Sequence, residues 1–246
     1  MLMKLEVCVD NVESIVTATE CGANRLELCS ALSSGGLTPT AGLVMAAKRL
    51  SGLPLHCMIR PRAGDFIYTE PELQIMLDDI SCLSKLGVQG FVFGTLTSRG
   101  EVNIEQLIRL CEAAAGHHIT FHRAFDYTQD PDQALELIVS AGCDTLLTSG
   151  LKASALEGLQ TLIRLQNRAG ERLTIMPGAG ITAENIVQFL GDNGFKWLHM
   201  SAKKQRQIQA EYLPEFSLGS NLEEDLSITV TNDGLLKKAL KIISTP

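Results

Sequence analysis

The sequence lacks any segment able to cross a bilayer as a helix. Its longest uncharged stretch, Leu28 to Ala47, is broken by Ser33, Ser34, Gly35, Gly36, Thr38 and Pro39. It lacks a basic excess: 21 Lys and Arg face 28 Asp and Glu, a formal net charge of −7, so the basic stripe of a nucleic-acid binder is missing. It lacks any C-x-x-C pair. The seven cysteines are odd in number and spaced 13, 8, 28, 25, 29 and 32 residues apart, which predicts free, mostly buried thiols rather than a disulfide framework or a structural zinc site. The N-terminus carries Glu6 and Asp10 where a secretory leader needs a basic start and an apolar run. These absences predict a cytoplasmic protein with neither membrane nor nucleic-acid partners. No linker, low-complexity tract or charge block divides the chain, and 45% hydrophobic against 20% charged residues is a globular balance.

Short apolar runs alternate with helix-like segments. The candidate strands are Leu5–Val9, Arg25–Cys29, Leu55–Ile59, Gly90–Phe93, Ile119–His122, Thr145–Thr148, Leu173–Met176 and Lys196–Met200. Capping-box spacings at Asp10/Glu13, Thr69/Glu72 and Asn103/Gln106 start helices, as do the prolines of Thr38-Pro39, Glu70-Pro71 and Asp130-Pro131. Gly22, Gly87, Gly116, Gly142, Gly170 and Gly194 stop them. Eight β/α units and a last helix at Asp233–Ile243 predict an α/β fold, a closed (β/α)8 TIM-type barrel forming a single domain over residues 1–246. An open doubly wound sheet is the alternative, since Gly178 to Ala183 matches G-x-G-x-x-A, but no acidic residue ends the next strand to hold a ribose. The segment 203–231 reads as irregular, long enough for a lid or an oligomer contact.

A barrel places its chemistry at the C-terminal ends of the strands. Strand alternation sends Leu5, Val7 and Val9 outward and Glu6 and Cys8 inward, and likewise Glu27 and Cys29 in the second strand. Arg60, His122 and His199 join them by parity, with Asp126 and Arg62 in the following loops. Glu6, Glu27, Arg60, His122, Asp126 and His199 are therefore the candidate catalytic groups, for several charges desolvated together are costly unless they act. The structural reading of the same residues is a Glu27–Arg60 ion pair and a hydrogen-bonded core His122. His118 and His122 are about 13 Å apart along a strand, too far to share a metal ion. Cys8 and Cys29 end adjacent strands; as soft donors they suit Cu(I), with Met residues as further ligands, or they simply fill the barrel top. Gly178 and Gly180 after the seventh strand, a helix capped by Thr182, Ser201 after the eighth strand, and Arg62 form a candidate anion site.

Leu5 to Asp10, Arg25 to Ser30, Gly35 to Pro39, Arg60 to Phe66 and Thr120 to Asp126 resemble signature segments of the CutC family of proposed copper-homeostasis proteins. Leu147 to Gly150, Pro177 to Ile181 and His199 to Ala202 continue the likeness, which covers residues 5 to about 202. Ala63 stands where the family usually has glycine, and Lys203–Thr231 departs from its pattern. The resemblance implies a TIM-type barrel, cytoplasmic location, a homo-oligomer and copper tolerance through Cu(I) binding, with the copper cysteines falling on Cys8 and Cys29. Copper alone does not account for the converging charges. The alternative expectation is an enzyme acting on a small anionic or phosphorylated metabolite by acid/base chemistry.

Overall fold

The computed structural model of the chain describes residues 3–212, Phe216 and 226–244. The apolar runs form strands β1 (Lys4–Val9), β2 (Arg25–Leu28), β3 (Leu55–Met58), β4 (Gly90–Phe93), β5 (His118–Phe121), β6 (Thr145–Thr148), β7 (Thr174–Pro177) and β8 (Trp197–Met200). They pair in parallel in the order β7-β6-β5-β4-β3-β2-β1-β8. The end strands β7 and β8 lie side by side without a hydrogen-bonded ladder between the described residues, so the expected (β/α)8 barrel is nearly closed and carries one seam. Gly178 makes the seam tight: a Cβ there would meet Leu147 Cδ1 at 2.5 Å and His199 Cβ at 3.3 Å.

Helices α1 (Val12–Cys21), α2 (Ala41–Leu50), α3 (Glu70–Ser84), α4 (Ile104–Ala113), α5 (Pro131–Ser140), α6 (Leu159–Ala169) and α7 (Asp233–Ser244) cover the wall. The outward strand residues pack beneath them: Leu5, Val7, Leu26, Leu28, Phe91, Phe93 and Phe121 are fully buried, each worth roughly 1.5–3 kcal/mol of transfer free energy. α7 packs beside α1, which closes the ring of helices.

The helix starts follow local chemistry, with corrections. Thr69 and Glu72 make the full capping box of α3, and Asp130 caps α5 with Pro131 in its first turn. Asn103 caps α4, but Gln106 reaches Thr95 and the Tyr68 carbonyl rather than back to the cap. α1 is capped by Asn11, not Asp10; the Asp10 carboxylate instead accepts from Asn11 Nδ2 and the Leu32 amide. Thr40, not Thr38, caps α2. The helix expected after Thr182 is only a four-residue 3-10 turn, Ile186–Phe189. The segment read as irregular is ordered at both ends: β9 (Lys203–Gln207) pairs antiparallel with β10 (Ser227–Thr231). The lid or oligomer contact expected of 203–231 falls in part on residues 213–225, which apart from Phe216 lie outside those described.

Candidate functional site

Parity places a charged column inside the barrel instead of the usual layers of branched aliphatics. Glu6 of β1 is fully buried; its Oε2 accepts from Arg25 Nε at 2.6 Å and its Oε1 pairs with His199 Nδ1 at 2.8 Å. Arg25 also stacks on the Trp197 ring, 4.0 Å from its centroid, and His56 Nδ1 lies 4.0 Å from Glu6. With its Nδ1 taken by Glu6, His199 turns Nε2 towards Glu27 Oε2, 3.8 Å away. Cys29 Sγ donates to that same carboxylate at 3.6 Å. Donor atoms of Cys8, Glu27 and His199 lie within 4.8 Å of one another.

Electrostatics divides the two carboxylates. Burial pushes the Glu6 carboxyl up, but the Arg25 guanidinium, the His199 bond and the His199 charge outweigh it and hold the group well below the usual range. Burial dominates at Glu27, and with the Glu6 charge nearby its pKa is pushed up to about 7 despite His199. Burial works against the His199 cation, yet Cys8, Glu27 and Glu6 raise its pKa well above the ordinary value. Burial, then the Glu27 charge, pushes the Cys29 thiol well up. Glu27 Oε1 is buried without a hydrogen-bond partner.

Two clefts open onto this column, and Cys8 lines both. One, of about 380 Å³, lies under β9 and β10; the other, of about 480 Å³, is lined by His199, Arg123, Lys203 and the loop from Ala179 to Glu184. Ala31, Leu151, Ala179 and Ala202 have φ of 48°, 61°, 77° and 45° in the loops that follow β2, β6, β7 and β8. Strained non-glycine residues around a mouth are typical of functional sites.

The remaining expected residues separate. Arg60 does not pair with Glu27; its guanidinium donates to the carbonyls of Ser34, Gly36 and Gly64 and lies over Phe66. His122 is buried, its Nδ1 accepting from the Ala124 amide, so in the neutral ring the proton sits on Nε2, which has no partner. Asp126 organises the loop after β6, accepting from Thr148, the Ser149 and Leu151 amides, and Arg123. Arg62 binds Glu72, Asp65 and nearby carbonyls instead of turning to the mouth. The glycine loop leads into no α-helix: Thr182 N donates to Asn185 Oδ1, Glu184 N to Thr182 Oγ1, and Gly178 N to the Thr148 carbonyl, while Gly180 lines the second cleft with Ser201. Ser201 lines both clefts. Cys29 packs with Met58 and Val92. His118 bonds Thr145 at the other end of β5. Sequence reasoning missed Arg25, and it put His56 on the inward face with Arg60 without counting it among the site residues. Both share the inward face of residues it named, so parity alone was signal enough.

The CutC family profile matches residues 3–204. A CutC family protein of Glaesserella parasuis is 42% identical over 242 residues, 98% of this chain and 99% of its own. One of Pasteurella multocida is 44% identical over 230 residues, 94% of each chain. The crystal structure of CutC from Streptococcus agalactiae, described as a proposed copper homeostasis protein, superposes with a TM-score of 0.76 at 32% identity, covering 81% of this chain and 98% of that one. Thiamine phosphate pyrophosphorylase from Pyrococcus furiosus, at 13% identity and a TM-score of 0.59, shares the fold alone. On the family profile, the near-full-length relatives and the superposed barrel together, the chain belongs to the CutC family.

Proposed function

We propose that the barrel mouth binds Cu(I) as cargo, with Cys8 supplying sulfur, His199 nitrogen, and Cys29 the second sulfur beside Glu27. The observation that carries this reading is the convergence of Cys8, Glu27 and His199 donor atoms within 4.8 Å, where Cys8 lines two open clefts and His199 the second of them. Thiolate and imidazole are the donors a soft ion prefers. The Glu6 bond to Nδ1 orients the His199 ring, as carboxylates behind metal-binding histidines do, and the Nε2 proton leaves when the ion binds. The copper homeostasis description of the Streptococcus agalactiae protein agrees with this reading. The reading implies a reducing compartment, where free thiols and Cu(I) coexist.

Competition titration against a Cu(I) chelator without oxygen tests it. Cys8→Ser is expected to weaken binding by at least roughly 10–100-fold, the loss that follows when only a partner behind a metal ligand is changed; a Cys8→Ser/Cys29→Ser double variant with unchanged affinity would overturn it.

A second reading is favoured by a different observation. Glu27, with a pKa near 7 and an unpartnered oxygen, sits close to a cleft whose rim carries Arg123 and Lys203. A carboxyl poised near neutrality is a general acid or base, and two cations suit a small anionic substrate. Thermal-shift screening of small carboxylates and phosphates addresses it. A stabilising ligand whose effect survives Cys8→Ser but is lost in Arg123→Gln supports the enzyme; no shift with any member refutes it.

A further inference from the structure

Two thiols stand apart from the mouth, at the opposite end of the barrel wall. Cys111 lies in the last turn of α4, and Cys143 lies in the turn between α5 and β6. Their sulfurs are 4.0 Å apart, a van der Waals contact between side chains separated by 32 positions in sequence. Both are free. A disulfide needs its sulfurs at about 2.05 Å, so the remaining approach is of side-chain size. Cys143 is closed in by the wall, its amide donating to the Ile138 carbonyl. Cys111 opens onto a surface hollow of about 550 Å³, lined also by Ile108, Glu112, His117, Gly142 and Asp144. Of the two, Cys111 is therefore the one that lines the hollow.

We propose that Cys111 and Cys143 form a peroxide-oxidisable dithiol, in which Cys111 is attacked first and Cys143 resolves it into a disulfide. The Cys111 thiolate attacks one oxygen of hydrogen peroxide and breaks the O–O bond; Cys111 becomes a sulfenic acid, and hydroxide leaves, taking up the thiol's proton as water. The Cys143 sulfur then attacks the Cys111 sulfur, and the sulfenic oxygen departs with the Cys143 proton as a second water. Two thiols and one peroxide give one disulfide and two waters, the sulfurs losing two electrons and the peroxide gaining them.

The order of events agrees with the local electrostatics. The S–H···S contact with Cys143 holds the Cys111 thiol below its ordinary value against burial and the nearby Asp144 and Glu112 charges. The same bond, with burial, pushes Cys143 well up. The sulfur that lines the hollow is thus the one whose ionised form the contact favours. Neither cysteine belongs to the copper or enzyme reading, so the inference stands apart from both.

The test treats the full chain carrying Cys8→Ser and Cys29→Ser, which removes the mouth thiols, with stoichiometric hydrogen peroxide, then alkylates and maps the peptides. A linked Cys111–Cys143 peptide, two fewer alkylated thiols and reversal by dithiothreitol are expected. In a further Cys143→Ser variant, Cys111 should be trapped as a sulfenic acid by dimedone. Both thiols remaining alkylated while exposed Cys82 oxidises, or disulfides spread over all five remaining cysteines, would overturn the proposal. The wild-type chain, mapped in the same way, keeps the result decisive if a variant fails to fold.

Discussion

His122 and His56 show what burial does to one residue type. Burial, reinforced by the neighbouring Arg60 charge at His122 and Arg25 at His56, lowers both imidazoles to a pKa of about 3. Each stays neutral in the fold while its unfolded counterpart titrates near the ordinary 6.5. A depressed folded pKa means stability that is complete above 6.5 and is lost as pH falls toward 3. Each histidine should therefore cost about 2 kcal/mol of stability between pH 7 and 5. His122→Asn keeps an acceptor for the Ala124 amide and removes the titration. Urea midpoints should show its pH 7-to-5 loss smaller than wild type by about 2 kcal/mol; an equal loss would mean the ring is charged in the fold. Glu6 is different in kind. Its carboxylate is bound by Arg25 and His199, and it holds the column together whatever the mouth does.

At the scale of elements, α1 and the β9–β10 pair are joined through one side chain. Asn11 Oδ1 accepts from the Ser14 amide as the cap of α1, and its Nδ2 donates to the Thr229 carbonyl of β10 at 3.0 Å. Ser14 Oγ in turn accepts from the Thr231 amide. The pair of strands that roofs the first cleft is thus anchored on the first turn of a barrel helix. Asn11→Ala should cost about 1 kcal/mol as a lost cap. It should also speed hydrogen exchange across 203–207 and 227–231, while α3, with its own capping box, stays unchanged. Exchange unaltered in both strands would show that the roof is held elsewhere. Glu13 three residues after Asp10 singled out Asp10 as the cap, whereas the cap is the next residue, Asn11. The side chain of Asp10 was needed by Leu32, a contact that exists only after β1 and β2 are paired.

The whole barrel depends on interior positions where no side chain fits. At Gly90 of β4 a Cβ would lie 2.7 Å from the His56 ring and 2.8 Å from the His118 carbonyl. That empty space lets the His56 and His118 rings pack at 4.8 Å between β3 and β5. Gly90→Ala drives a methyl into backbone as well as side chain, and should destabilise the barrel by roughly 3 kcal/mol, the upper range for overpacking. Denaturant unfolding measures it, and a loss below about 1 kcal/mol would show that the wall yields easily.

By itself the sequence determined the strands, their inward faces and the family. Period-two alternation and glycine stops depend only on neighbouring residues, and a chain whose strands all bury their outward face has few other arrangements. Alternation thus put Glu6, Cys8, Glu27, Cys29 and His199 inside before any contact was known. The partners were decided by the tertiary structure. Whether Arg60 met Glu27 or backbone carbonyls, whether Arg62 faced the mouth or Glu72, and whether Cys8 met Cys29 or His199 depended on strand stagger and loop path. Hydrogen bonds reach only about 3 Å, so a displacement of one residue along a strand exchanges one partner for another. The same holds at the far end, where Cys111 and Cys143, 32 positions apart, come into contact only because α4 and the entry to β6 share one wall.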